Sequence, residues 1–199
     1  DLEGLPMSNA DASLVTNTQR GTCLENNGVT IQTCEHVLAA LVGLEIDNVI
    51  IELSTSEPPI MDGSSKYFVE ALELAGIKQL EACREVFVVK DVISYVDDES
   101  GSEITIIPSN EYQITTMVDF GTKILGTQNA TLQHLSNFKN DISDSRTFSF
   151  LHELESLLEQ GLIKGGDLNN AIVYVDKPLS NETMERLKKA FNKETISVT

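Results

Sequence analysis

Two adjacent residues, Glu35 and His36, carry the side chains best suited to hydrolytic chemistry in this 199-residue sequence. They fall in the first turn of an expected helix directly after a strand, where backbone N–H groups are unsatisfied and the positive helix end points outward. A neutral imidazole is a good zinc ligand, and a carboxylate beside a metal-bound water serves as a general base. The plainer reading is a solvated pair at a helix end. A catalytic zinc needs three protein ligands, and the other histidines, His134 and His152, have no metal-like spacing to His36 and read as surface residues. A nucleophilic pair of Cys34 and His36 is disfavoured, because residues two apart on a helix do not face each other. Farther along, Ser145-Arg146-Thr147-Phe148 places a hydroxyl at an element junction, where it could donate to a developing oxyanion. Alternatively, Thr147 simply caps a helix at Phe150. Lys164-Gly165-Gly166-Asp167 could form the wall of a ligand cleft, but a Gly-Gly pair is more often a plain turn, and the P-loop spacing is missing.

The elements that must position these groups follow from the pattern of apolar residues. Short strands at Gly21 to Leu24 and Val29 to Ile31 flank Asn27-Gly28, a dipeptide suited to a tight type I′ hairpin turn. Thr33 is the expected cap of a first helix that continues through Val37 to Val42 and stops at Gly43. A strand over Val49 to Leu53 and the turn Asp62-Gly63 come next. A second helix is capped by Ser64, presents Phe68, Ala71, Leu72 and Ala75 on one face, and ends at Gly76. Strands are expected at Val86 to Val89, Val92 to Val96 and Ile104 to Ile107. In the stretch from Tyr112 to Phe120, strict alternation predicts a strand with one wet face. Helical stretches follow around Leu132 to Phe138 and Phe150 to Leu158, then a buried strand from Ala171 to Val175. The last helix is capped at Ser180 or Asn181 and places Met184, Leu187 and Phe191 on one side. The sum is an α+β chain in two lobes, with a boundary near residue 82.

Composition bounds the partners. There are 14 Lys and Arg against 31 Asp and Glu, a formal charge of −17. Such a chain repels phosphate backbones and anionic lipid, so non-specific nucleic-acid or membrane-surface binding is disfavoured, and an anionic substrate must meet a local cationic site. The longest apolar run, Val37 to Leu44, falls well short of the ~20 residues a bilayer span needs. The start shows no secretory-signal pattern. Three cysteines, Cys23, Cys34 and Cys83, an odd number in a long chain, favour reduced thiols and a cytoplasmic setting.

Taken in order, the motifs say more than they do singly. Thr33-Cys34-Glu35-His36, Leu38-Ala39-Ala40-Leu41, Gly43-Leu44, Ile46-Asp47-Asn48 and Pro59-Ile60-Met61-Asp62-Gly63-Ser64 closely resemble the UDP-3-O-acyl-N-acetylglucosamine deacetylases, the zinc hydrolases of lipid A biosynthesis. Ser145-Arg146-Thr147-Phe148, Gly161-Leu162, Gly165-Gly166 and Ala171-Ile172-Val173 continue the resemblance over most of the chain. It implies a two-lobed α+β fold, each domain a β-sheet packed on helices. Residues 1–82 would be the C-terminal part of the first domain. Residues 83–199 would be the N-terminal part of the second, with a β-α-β insert at about 148–175 that forms a passage for the acyl chain.

Carried over position by position, the resemblance makes His36 a zinc ligand and Glu35 the base that activates the zinc-bound water. Thr147 supplies the hydroxyl that helps stabilise the tetrahedral oxyanion, and Phe148 flanks the substrate. Phe120 lies near the uridine, and Leu154, Ile163, Gly166 and Val173 line the acyl passage. The implied reaction releases acetate from UDP-3-O-(3-hydroxyacyl)-N-acetylglucosamine. The family's other two zinc ligands, a His and an Asp at i, i+4 on a later helix, have no counterpart here, nor has the later His that protonates the amine. The expected Lys beside the diphosphate is replaced near Ser102 or Glu103. The chain therefore reads as an internal segment of a longer enzyme. Gly126-Thr127-Gln128 and the stretch from Lys164 to Asn170 look most like the branch with a 3-hydroxyacyl-carrier-protein dehydratase fused downstream. The alternative is a non-catalytic acidic α+β interaction domain in which Glu35-His36 and Thr147 serve only as helix caps.

Overall fold

The computed structural model describes residues 6–154, 169–176 and 178–196. Its first sheet is the antiparallel set β1 (Val15–Asn17), β2 (Cys23–Asn26) and β3 (Val29–Ile31), in the order β1-β2-β3. The β2–β3 hairpin turns at Asn27 and Gly28, with φ of 51° and 76°, the two successive positive values that the tight turn demands. This sheet delivers the chain to α1 (Glu35–Gly43), which buries Val37, Ala40 and Leu41.

Both expected ends of α1 shift. Thr33 is no cap: its φ is 52°, and Cys34 takes the N-cap position without a side-chain cap bond. Gly43 is the last helical residue rather than the left-handed stop, and that conformation falls to Glu45 at φ 55°. Packing explains why a glycine stands at 43, since a Cβ there would lie 2.1 Å from Cδ1 of Phe138.

In α2 (Lys66–Ala75) the expected cap shifts by one residue: Ser65 takes the N-cap position without a side-chain cap bond, while the Oγ of Ser64 just before it accepts from the Lys66 N–H at 3.2 Å, and Gly76 ends the helix at φ 85°. The buried face is Phe68, Val69 and Leu72, whereas Ala71 and Ala75 are exposed. The larger side chains set the rotation of the helix, because they release more area from water. Ala40, Val69, Leu132 and Phe138 form the first core, which thus joins α1, α2, the end of β7 (Thr127–Leu132) and α3 (Phe138–Asp141). Arg84 ties the segment after α2 back to the α1 exit, donating to the carbonyl of Glu45 and the carboxylate of Asp47, both at 2.9 Å.

Two expected strands do not form. Residues 49–53 and 86–89 are apolar and β-branched enough, but neither pairs with another strand among the described residues. A strand without a ladder partner has nowhere to place its backbone hydrogen bonds except water. The hairpin of β4 (Ile93–Val96) and β5 (Glu103–Ile106) does form, as does that of β6 (Ile114–Asp119) and β7. β6 was expected to have one wet face, yet all six of its residues are exposed. Alternation decides which side chains share a face, but burial also needs a second layer. The helix expected around Leu132 to Phe138 is instead the end of β7, a 3₁₀ turn at Leu135–Asn137 and then α3.

The remaining described chain builds a second core. β8 (Phe148–Phe150) pairs in parallel with β9 (Ile172–Tyr174), and a helical turn at residues 151–154 follows β8 directly. The strand expected over Ala171 to Val175 is half-buried rather than buried. The last helix, α4 (Asn181–Ala190), is capped by Ser180, whose side chain accepts from the Thr183 N–H. Its Leu187 packs with Leu151 and Leu154, and Val173, Val175, Leu179, Phe191 and Ile196 surround them. The whole is α+β. Among the described residues, no helix is long and apolar enough to cross a membrane.

Candidate functional site

The first turn of α1 holds Glu35 by one carboxylate oxygen and leaves the other toward His36. Oε2 accepts from the backbone N–H of Thr22 at 2.8 Å, and Oε1 lies 3.9 Å from Nε2 of His36. The His36 side chain is 16% exposed and that of Glu35 36%, so the pair sits at the surface of the fold with its imidazole mostly covered. Cys34 is buried beneath them, its Sγ donating to the Thr22 carbonyl at 3.4 Å. Burial pushes the Cys34 thiol above its ordinary pKa, and the Glu35 charge adds to the shift.

The segment from Ile60 to Ser65 connects this turn to Thr147. Ser65 Oγ donates to the His36 carbonyl at 3.0 Å, while the Thr147 N–H donates to the Gly63 carbonyl at 2.7 Å. Gly63 has φ 83°, and a Cβ there would lie 1.9 Å from the Asn170 carbonyl oxygen, so no other residue fits without displacing backbone. Arg146 locks the same junction: Nε donates to the Asp62 carbonyl at 2.6 Å and Nη2 to that of Asn169 at 2.5 Å.

Thr147 is therefore not a helix cap. Its N–H reaches Gly63 and its carbonyl accepts from the Ile172 N–H at 3.0 Å, which makes it the residue leading into β8. The start of the following helical turn is satisfied by Glu153, whose Oε2 accepts from the Phe150 N–H at 3.1 Å and the Ser149 hydroxyl at 3.2 Å. Phe148 extends the site with a ring 5.3 Å from that of Phe120, edge to face. Phe150 and Tyr174 complete this aromatic cluster.

Glu35, His36, Thr147, Phe148 and Phe120 thus belong to one connected region. Leu154 and Val173 pack in the second core, Leu154 buried against Leu187. Ile163 and Gly166 fall outside the described residues. Sequence reasoning missed Thr22, Gly63 and Ser65 as supports, since backbone-mediated ties leave no spacing signal. His152 lies at the surface as expected, and there its ring stacks on Phe150 and bonds to Asp176. His134, half-exposed, pairs with Glu111 at 2.6 Å.

One imidazole does not make a metal centre. A catalytic zinc site takes three protein ligands, and among the described residues no group of three His, Cys, Asp or Glu is placed to hold an ion. These residues do not fit zinc by themselves.

Comparison with known proteins places this geometry in context. The family model described as "LpxC: UDP-3-O-acyl N-acetylglycosamine deacetylase" matches residues 1–195. The chain is similar to the bifunctional enzyme LpxC/FabZ of Bacteroides thetaiotaomicron, at 42% identity over 187 residues, which cover 94% of this chain and 41% of that protein. It is also similar to the enzyme of the same name from Porphyromonas gingivalis, at 40% identity, covering 94% of this chain and 40% of the relative. A UDP-3-O-acyl-N-acetylglucosamine deacetylase of Chromohalobacter salexigens is 37% identical, with 98% of this chain and 65% of that protein covered. The chain spans less than two thirds of the length of these relatives.

Proposed function

Since this chain belongs to the family of UDP-3-O-acyl N-acetylglycosamine deacetylases, we propose that the protein carrying it hydrolyses the acetamide of UDP-3-O-(3-hydroxyacyl)-N-acetylglucosamine, releasing acetate in lipid A biosynthesis. The observation that supports this reading is the tie from the His36 carbonyl through Ser65 and Gly63 to the Thr147 backbone, which joins the segments that carry Glu35, His36 and Thr147. Glu35, anchored at Oε2, is the general base that takes a proton from the attacking water through Oε1. The Thr147 hydroxyl donates to the oxyanion that develops on the acetyl oxygen. His36 would be one ligand of a zinc ion, which would supply Lewis-acid activation of the carbonyl and the water once two further ligands from outside the described residues complete its site.

Phe148 and Phe120 form the wall for the sugar nucleotide, with the uridine near Phe120. Leu154, Ile163, Gly166 and Val173 line the acyl passage within a β-α-β insert at about 148–175, a reading supported by the parallel β8–β9 pair. The same proposal includes two lobes, residues 1–82 and 83–199, and a cytoplasmic setting, supported by three free thiols. A fused dehydratase unit belongs to it as well, supported by the bifunctional names of the relatives.

The test is acetate release by the full-length, zinc-loaded protein from the acylated UDP-sugar. Turnover that disappears on chelation and returns with zinc is the expected result. A full-length protein that binds zinc and releases no acetate returns the chain to the alternative of an acidic, non-catalytic interaction domain.

A further inference from the structure

Arg146 precedes Thr147 and holds both chain segments that meet it. Its Nε donates to the Asp62 carbonyl at 2.6 Å, 84 residues back in the chain, and its Nη2 donates to the carbonyl of Asn169, 23 residues on. Asp62 leads into Gly63, whose carbonyl accepts from the Thr147 N–H at 2.7 Å. Asn169 leads through Asn170 and Ala171 to Ile172, whose N–H donates to the Thr147 carbonyl at 3.0 Å. One guanidinium therefore closes the same three segments that the Thr147 peptide groups join.

The Thr147 side chain is set by this closure. A Cβ on Gly63 would lie 3.1 Å from Cγ2 of Thr147 and 1.9 Å from the Asn170 carbonyl oxygen, so the threonine methyl packs on the Gly63 backbone where Asn170 also arrives. Two heavy atoms on one Cβ restrict χ1, and seating the methyl places the hydroxyl as well. Residue 146 must carry two N–H donors at a fixed angle to reach carbonyls on two separate segments. A guanidinium holds them in one rigid plane, whereas an ammonium is a point charge on a flexible stem. The Asp62 carboxylate is engaged elsewhere, its Oδ1 accepting from the Ser64 N–H at 3.1 Å and the Ser64 hydroxyl at 2.7 Å. Arg146 thus grips main chain, which holds its place better than a carboxylate that can rotate with its partner.

We propose that Arg146 is a positioning residue for Thr147: its fork holds the Asp62–Gly63 and Asn169–Asn170 segments in the relation that fixes χ1 of Thr147 and aims the hydroxyl at the developing oxyanion. This rests on the proposed function for what the hydroxyl does, and on the geometry alone for where it points. An oxyanion donor acts only when it is aligned with the atom on which charge develops. A misplacement of about 1 Å caused by a change away from the chemistry costs on the order of a hundredfold in rate.

The experiment takes the full-length, zinc-loaded protein with Arg146→Lys or Arg146→Gln, each made in the wild-type and in the Thr147→Val background. Lys keeps the charge and Gln keeps a donor, but neither keeps the two-point fork. In the wild-type background kcat for the acylated UDP-sugar is expected to fall roughly tenfold to a hundredfold with KM little changed, the mark of an interaction made in the transition state. In the Thr147→Val background no hydroxyl is left to aim, so the same substitutions lower kcat no further. Threonine-methyl NMR gives a readout apart from turnover: the three-bond couplings of the Thr147 methyl report one χ1 rotamer in wild type and an average over rotamers in the Arg146 variants. A kcat at the wild-type level, equal losses in both backgrounds, or a single rotamer retained in the variants each overturns the inference. Urea denaturation that finds both variants unfolded also overturns it, by assigning Arg146 to the fold as a whole. A wild type that binds zinc and releases no acetate removes the proposed function instead, and the Thr147 rotamer then still decides whether Arg146 positions that side chain.

Discussion

The hydroxyl of Ser65 donates to the carbonyl oxygen of His36 at 3.0 Å, so the residue just ahead of α2 holds the first turn of α1. His36 lies within its own helix, and its carbonyl gains a second constraint from 29 residues away. Ser65→Ala should cost about 1 kcal/mol of stability, the net value of one intramolecular hydrogen bond. It should also loosen His36 relative to Thr147. Urea denaturation together with the turnover of the full-length protein checks this, and a variant of native stability and turnover would show that the tie positions nothing.

Glu35 offers a cleaner separation of structure from chemistry. Gln at this position keeps an oxygen that can accept from the Thr22 N–H, so Glu35→Gln should leave the denaturation midpoint close to wild type. Turnover should nevertheless fall by roughly 10²- to 10⁴-fold, the range for a lost general base. Glu35→Ala should lose the same activity and stability as well, because the Thr22 donor is stranded. Thr147→Val fits the approach to β8 without disturbing its two backbone bonds, and should raise the barrier by about 2.7–4 kcal/mol. Near-native rates in Glu35→Gln or Thr147→Val would remove the assigned role from that residue.

Much of this region was legible before the structure. Asn27-Gly28, Gly76 and Ser180 each announce a local geometry, and each does what its chemistry dictates. The failures lie where a partner distant in sequence decides. Gly43 looks like a helix stop until Phe138 is seen against it. Val49 to Leu53 looks like a strand until no ladder partner is found among the described residues. β7 was missed because Thr127-Gln128-Asn129-Ala130-Thr131 is polar, and its pairing with β6 is what makes it a strand. Thr147 looks like a cap because hydroxyls before helices usually are, and only the bonds to Gly63 and Ile172 show it entering a parallel strand.

The Gly43 contact makes a direct packing prediction. A Cβ at residue 43 would meet three atoms of the Phe138 ring within 2.7 Å. Gly43→Ala should therefore destabilise by about 1–3 kcal/mol despite the better helix propensity of alanine. Pairing it with Phe138→Leu should recover part of that cost, giving a coupling energy in a double-mutant cycle. Additive losses would mean that the ring swings away freely and does not set the identity of residue 43.

Thiol reactivity should separate the three cysteines. Cys34 is buried, and its thiol is pushed up first by burial and then by the Glu35 charge, whereas Cys83 is exposed. Because the thiolate is the nucleophile, a raised pKa slows alkylation. Iodoacetamide at pH 8 followed by peptide mass spectrometry should therefore label Cys83 first and Cys34 last. Denaturant should erase the difference. Early labelling of Cys34 in the native protein would contradict both its burial and the direction of its shift.

The Asp176 carboxyl is pulled in two directions. Burial pushes it up, but the His152 hydrogen bond, its own backbone N–H and the His152 charge pull it down, and the balance lies below the ordinary carboxylate value. A group depressed in the folded state adds stability that is fully present above its unfolded pKa and is lost as pH falls through the folded one. The stability difference between wild type and Asp176→Asn should therefore favour wild type at neutral pH and shrink once the pH drops below the ordinary carboxylate range. Taking the difference between the two proteins cancels the contribution of the other thirty acidic residues. Urea denaturation of both at a series of pH values from 7 downward reads it directly. A gap that stays constant as the pH falls would mean that Asp176 gains nothing from His152 in the folded state.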